Sequence, residues 1–140
     1  LDPKAMEEKN LRLQKKYEEI RQHEVRYEEY LCEDAEYLFI SFGSVARITM
    51  EAVDLLRKEG YKVGLFRPIT LWPFPAVQIA KRAHTIKGIL VPEMNAGQMI
   101  NDVKLSVEGC GLPVKHFGRL GGIVPDPNEI VESFKNNFIK

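Results

Sequence analysis

The spacing of apolar and polar positions changes at about residue 36 and divides the chain in two. From Pro3 to about Tyr30 the sequence is rich in Glu and Lys, lacks Gly, and sets Met6, Leu13, Tyr17, Ile20, Tyr27 and Leu31 at intervals of three, four and seven. That spacing predicts one long amphipathic helix. Its stripe is narrow and is interrupted by Glu24, so it reads either as a solvated helix lying across its own domain or as a connector that packs on another. Cys32-Glu33-Asp34-Ala35-Glu36 ends it.

After residue 36 short apolar runs alternate with helical patterns. Tyr37–Phe42 reads as a strand buried on both faces, stopped by Gly43-Ser44. Ser44 is placed to cap a helix with Val45, Ile48, Ala52, Leu55 and Leu56 on one side, Lys58 in its last turn and Gly60 just past it. Tyr61–Phe66 is a second strand, and Arg67–Pro75 a proline-punctuated loop before a short helix over about 76–83. Ile86–Val91 is a third strand, leading through Pro92–Gly97 into a helix with Met99, Ile100, Val103 and Val107 inward and Gly109 at its end. A short fourth strand is Val114–Phe117. The last helix opens at Asp126-Pro127-Asn128-Glu129, a cap, a first-turn proline and a glutamate placed to reach back, with Ile130, Phe134 and Phe138 on its inner face.

Strands alternating with helices specify a three-layer α/β/α domain with a mostly parallel sheet, preceded by the long N-terminal helix. The expected spatial order of the four strands is 2-1-3-4, with residues 1–35 a helical connector and 36–140 the α/β domain. Where the winding reverses, between the first and third strands, the loops leaving the carboxyl ends diverge and open a crevice, here flanked by Gly43-Ser44 and Pro92–Asn95.

Composition narrows the classes. The 140 residues are enough for one ordinary domain, and 44% apolar residues exclude a disordered chain. Charge balances at 20 basic and 20 acidic residues, but residues 1–36 hold 7 of the former and 11 of the latter. No dense basic stripe exists to neutralise phosphates, so nucleic acid is not an expected partner. No apolar run approaches the roughly 20 residues of a membrane span, and no signal-peptide pattern opens the chain. Two isolated cysteines, Cys32 and Cys110, point to a reducing, cytoplasmic setting. A start at Leu1-Asp2-Pro3 rather than Met leads us to expect a piece cut from a longer polypeptide.

Candidate chemistry is sparse. Gly43-Ser44 presents backbone N–H groups at a helix start, either as a plain cap or as an anion or cofactor contact. The loop Gly118–Gly122 matches neither a P-loop nor a dinucleotide fingerprint. Glu93 ends a buried strand beside the crevice, where it can serve proton transfer or accept hydrogen bonds from loop N–H groups. His23, His84 and His116 fall on three elements and form no metal pattern, so no metal site is expected; His116 is the one able to approach the crevice. No serine elbow and no activated thiolate is present, so no catalytic residue is assigned. Trp72-Pro73-Phe74-Pro75 offers a docking surface, or packing for one of its two rings.

The strings Phe42-Gly43-Ser44, Gly60-Tyr61-Lys62-Val63-Gly64-Leu65-Phe66, R-P-I-T-L-W-P-F-P over 67–75, E-M-N-A-G-Q over 93–98 and Gly121-Gly122 resemble, in order, the C-terminal part of the alpha subunit of 2-oxoacid:ferredoxin oxidoreductases. The resemblance implies a domain like the C-terminal domain of transketolase, preceded in the same subunit by a pyrimidine-binding domain. It implies an enzyme that uses thiamine diphosphate, magnesium, an iron–sulfur cluster and coenzyme A to decarboxylate a 2-oxoacid, such as 2-oxoglutarate or a branched-chain acid, and pass electrons to ferredoxin. None of those cofactors is expected on this piece alone, which reads as a non-catalytic scaffold contacting the N-terminal domain and the beta subunit. Arg67, Trp72, Phe74, Glu93, Asn95 and Gln98 are the expected interface or substrate-side contacts. The alternatives are a flavodoxin-like module holding a nucleotide or phosphate at Gly43-Ser44, and a transketolase or 2-oxoacid dehydrogenase subunit end, against which the E-M-N-A-G-Q string argues.

Overall fold

The strands over 37–40, 63–68 and 88–93 are buried along nearly their whole length, so each must be covered twice, and the helices between the strands do the covering. A computed structural model describes residues 2–139. The chain runs α1 (Pro3–His23), β1 (Tyr27–Tyr30), β2 (Tyr37–Ile40), α2 (Gly43–Lys58), β3 (Val63–Pro68), α3 (Ala76–Ala83), β4 (Gly88–Glu93), α4 (Met99–Ser106), β5 (Val114–Gly118) and α5 (Pro127–Phe138). The parallel strands lie in the order β3-β2-β4-β5, the expected 2-1-3-4 arrangement.

Alternate side chains of one strand feed opposite layers. Leu38 and Ile40 point with Phe66, Ile89 and Val91 toward α3 and α4, where they meet Ile79, Ile100 and Val103. Phe39 points with Val63, Leu65 and Leu90 toward α2 and α5, where they meet Ala52, Val53, Leu56 and Ile130. Phe134 centres the second layer, its ring edge-on to Tyr37, Phe39 and Tyr61. The capping box at the start of α5 forms as expected: Asp126 accepts from Asn128 N–H at 2.8 Å, and Glu129 reaches back to Asp126 N–H at 3.0 Å.

Two expectations are corrected. The N-terminal helix stops at His23, and Tyr27–Tyr30 is a strand added antiparallel to the outer edge of β3, so the sheet has five strands in the order β1-β3-β2-β4-β5. Its pattern is mostly exposed, so it has no buried run to announce it. Arginines hold it instead: Arg67 pairs with Glu28 at 3.0 Å, Arg82 pairs with Glu29, and Arg57 donates to the Leu31 carbonyl at 2.7 Å. Gly64 permits the approach, since a Cβ there would lie 2.7 Å from that same carbonyl. The second correction concerns Ser44. Helix α2 begins before it, at Gly43 with φ +60°, so that Ser44 lies inside the first turn and Phe42 precedes the helix without a side-chain cap.

The two ends of the sheet differ in kind. At the amino ends of the parallel strands, ion pairs tie loops and helix ends together: Arg57–Asp34 at 2.9 Å, Lys87–Glu36, and Lys135–Glu59 at 2.6 Å. Arg57 and Lys87 hold the carboxyls of Asp34 and Glu36 below their ordinary range, chiefly through the hydrogen bonds they donate. At the carboxyl ends the loops carry exposed apolar side chains instead.

Candidate functional site

The crevice lies at the reversal of winding, between β2 and β4. Two adjoining depressions form it. One, of about 220 Å³, is lined by residues of the β2–α2 turn, among them Phe42, Gly43 and Ser44, and by Glu93, Met94 and Asn95 after β4. The other, of about 160 Å³, lies on the far side of Phe42 and Glu93 and adds Leu71, Gln98, Met99 and Asp102. Phe42 lines both, a position that by hydrophobic pattern alone reads as the last residue of an apolar run.

Glu93 is the deepest charged group here, 1% exposed. Because it ends β4 with only five residues between it and the start of α4, the intervening loop folds back over it and delivers the helix's free amides to its carboxylate. The N–H groups of Gln98, Met99 and Ile100 donate to it at 3.3, 2.8 and 3.2 Å, and the Asn95 side-chain amide donates at 3.2 Å. Asn95 in turn accepts from Gly97 N–H at 2.7 Å. The Glu93 carbonyl receives Arg119 N–H at 3.2 Å, and the Ser41 hydroxyl donates to the Pro92 carbonyl at 2.9 Å. A carboxylate so placed acts as a remote cap for α4.

His116 enters through strand register: β5 pairs with β4 so that His116 stands beside Val91, two residues before Glu93. Its Nε2 lies 3.5 Å from a Glu93 carboxylate oxygen without forming a hydrogen bond. The glycines around it set the spacing. A Cβ on Gly118 would come within 2.5 Å of both the Asn95 carbonyl and the His116 ring.

The remaining candidates scatter. Arg67 lies on β3, away from both depressions, with its guanidinium on Glu28 and its Nε buried without a partner. Trp72 and Phe74 line a separate apolar groove of about 490 Å³ with Arg21, Val25 and Val77. There the Tyr17 ring stands edge-on to Trp72 at 5.6 Å and the Arg21 guanidinium lies 5.9 Å from the same ring, so this loop is where α1 meets the body. Cys32 is buried with its thiol donating to the Leu65 carbonyl at 3.2 Å, and burial pushes that thiol up to about 11.

A family model, pyruvate:ferredoxin oxidoreductase core domain II, matches residues 35–130. The chain belongs to that family. It is 41% identical over 135 residues to the ketoisovalerate oxidoreductase subunit VorB of Methanothermobacter marburgensis, covering 96% of this chain and 38% of that protein. It is 35% identical over 99 residues to the 2-oxoglutarate synthase subunit KorA of the same organism, covering 71% and 26%. A solved 2-oxoglutarate:ferredoxin oxidoreductase from Magnetococcus marinus, with 2-oxoglutarate, coenzyme A and succinyl-CoA bound, superposes with a TM-score of 0.70 at 29% identity, over 82% of this chain and 20% of that one. A split gene transketolase shares the fold, with a TM-score of 0.69 at 17% identity over 79% and 40%.

The core domain II residues do not fit thiamine diphosphate or an iron–sulfur cluster. The buried carboxylate at the crevice is held by the start of α4 and by the Asn95 amide, so it does not project free toward an aminopyrimidine or a metal. One of the two cysteines is sealed in the core, and among the described residues no three His, Cys, Asp or Glu side chains converge. No helix among them is long and apolar enough to cross a membrane.

Proposed function

We propose that this chain is the transketolase C-terminal-like module of the alpha subunit of a cytoplasmic 2-oxoacid:ferredoxin oxidoreductase. The enzyme takes a branched-chain 2-oxoacid in preference to 2-oxoglutarate. The carboxyl carbon leaves as carbon dioxide, the acyl group passes to the sulfur of coenzyme A, and two electrons pass through an iron–sulfur cluster to ferredoxin. Thiamine diphosphate and magnesium are held by the rest of the enzyme. The substrate preference is supported by the higher identity and fuller coverage against the ketoisovalerate subunit. Helix α1 connects the module to the N-terminal domain, and the sheet from Tyr27 onward with its covering helices gives the subunit shape and contact area beside its beta partner.

One observation carries the non-catalytic reading of this module. Its buried crevice carboxylate is committed to three backbone amides, which hold it as a helix cap rather than free it as an acid or base for a substrate. The test is turnover. The complete enzyme should reduce ferredoxin with a branched-chain 2-oxoacid only when coenzyme A is present, and the 140-residue chain alone should not turn over. Activity of the chain alone, or none in the complete enzyme, contradicts the reading.

A second reading rests on the open start of α2. That helix has no side-chain cap, and Gly43 and Ser44 line the larger depression. It predicts micromolar binding of coenzyme A, thiamine diphosphate or a flavin nucleotide by the isolated chain, measured by calorimetry and lost on Ser44→Pro.

A further inference from the structure

The donors on the Glu93 carboxylate are shared unequally between its two oxygens. Oε1 receives the Asn95 amide, Gln98 N–H and Met99 N–H at 3.2, 3.3 and 2.8 Å, whereas Oε2 receives only Ile100 N–H at 3.2 Å. Each carboxylate oxygen offers about two acceptor positions, so Oε2 keeps one unused. Facing that oxygen at 3.5 Å is His116 Nε2, itself buried with no hydrogen-bond partner among the described residues. An idle acceptor and an idle nitrogen therefore stand opposite each other in a place sealed from water. Glycines flank the ring: a Cβ on Gly97 would lie 3.7 Å from Nε2, and one on Gly118 would lie 2.5 Å from Cε1, so neither neighbour sets a side chain against it.

The charges around His116 leave Glu93 as its one ionic neighbour. From β4 only Glu93 faces it, and the loop over 94–98 carries no ionisable side chain. On α4, Asp102 and Lys104 are exposed, Asp102 lining the smaller depression on the side of Phe42 and Leu71. On β5, Val114 and His116 face the α4 layer while Lys115 and Phe117 take the α5 layer, and beyond the strand Arg119 grips Glu129. We propose that His116 is a proton-operated clamp on the β4–α4 loop: the imidazolium donates from Nε2 to Oε2 of Glu93 and holds the loop shut, and the neutral ring slackens it. The proton comes from solvent and returns there, and the carboxylate stays ionised throughout. A charge-assisted bond of this kind closes to about 2.8 Å and needs only a small swing of the ring. The clamp is complete below the ordinary histidine range, about pH 6.5, and is lost as pH rises through it. The α4 amides keep Glu93 in both states, so the proton changes how often the loop opens and leaves the closed fold as it is. That loop supplies Met94 and Asn95 to the larger depression and leads to Gln98 and Met99 in the smaller, so one proton acts on both.

Hydrogen–deuterium exchange of the complete enzyme, read by mass spectrometry at about pH 5.5 and about pH 8 and corrected for the pH dependence of free amides, tests the clamp. The peptide carrying Gln98, Met99 and Ile100 should exchange at least about threefold more slowly at the lower pH, while a peptide from the middle of α2 keeps the same protection at both. His116→Gln, which retains a neutral donor and cannot titrate, should abolish the difference. His116→Phe, which fills the space without a nitrogen, should lack it as well, and Lys115→Gln on the other face of β5 should retain it. Equal protection at both pH values in the parent overturns the proposal, as does a response that survives in either His116 variant or that α2 shares in full. The readout is the opening of one loop, so an enzyme inactive toward every 2-oxoacid would refute the functional reading and leave this one standing.

Discussion

The two ends of the sheet solve the same problem in opposite ways. Each must satisfy loop backbone and helix termini where the strands stop. The amino end does so with long side chains at the surface, Arg57, Lys87 and Lys135 bridging to Asp34, Glu36 and Glu59. The carboxyl end does so with one buried carboxylate, Glu93, around which a loop and a helix start are folded. Pairs in water contribute little each and tolerate loss singly, whereas a buried charge with several amides is one cooperative unit. The end bearing the crevice is therefore the rigid one, and the end bearing the ion pairs the forgiving one.

The sharpest way to break this contrast is at Glu93. Glu93→Ala strands the buried Met99 and Ile100 amides and removes the partner of the Gln98 amide and the Asn95 side chain, and should lower the unfolding free energy of the chain by about 3 kcal/mol or more in denaturant titrations. A loss below about 1 kcal/mol would mean that the knot is not cooperative. Next in size, Gly118→Ala drives a Cβ to 2.5 Å from the Asn95 carbonyl, where backbone must shift, and should cost about 2 kcal/mol. Gly88→Ala at the other end drives a Cβ into the Phe138 ring. That ring is half-buried near the end of α5 and can swing away, so the cost should be the smaller of the two.

These residues also mark how far the sequence could be read. Three of the four parallel strands were legible as buried apolar runs and the fourth as a short stretch between turn residues, and their order because crossovers have one hand. Strand β1 was not, since Tyr-Glu-Glu-Tyr looks like more helix surface until Arg67 and Arg82, about 40 and 50 residues away, neutralise its glutamates. The structural role of Glu93 was one of two readings of its position. Its neighbour His116 is 23 residues further on and arrives only through the β4–β5 register, which no local pattern encodes. The crevice between Gly43-Ser44 and Pro92–Asn95 followed from topology. Phe42 as its shared wall, and Arg67 as a strand rivet, depend on side-chain directions that spacing does not determine.

Smaller effects sharpen the forgiving end. Asp34 and Glu36 have folded pKa values below their ordinary ones, so the stability they contribute is complete above the ordinary carboxylate range and is lost as pH falls through the folded values. The melting temperature should therefore drop below about pH 4. An Asp34→Asn, Glu36→Gln double variant should flatten part of that drop, as should about 0.5 M salt. An unchanged acid limb in the double variant would remove these pairs from the account. Smallest of all in energy, and readable chemically, is Cys32. With its thiol near 11 and its side chain sealed under β1, it should be alkylated at pH 8 at least about tenfold more slowly than Cys110. Comparable rates would show that the edge strand opens readily.

The central claim is that the buried carboxylate of the crevice holds structure and performs no chemistry. Glu93→Gln in the complete enzyme tests it, with stability and turnover measured on the same preparation. The account predicts a lower unfolding midpoint and a turnover that falls only in proportion to the folded fraction, with the pH profile of kcat/KM unmoved. A variant that stays as stable as the parent yet loses turnover with a displaced pH profile would contradict it.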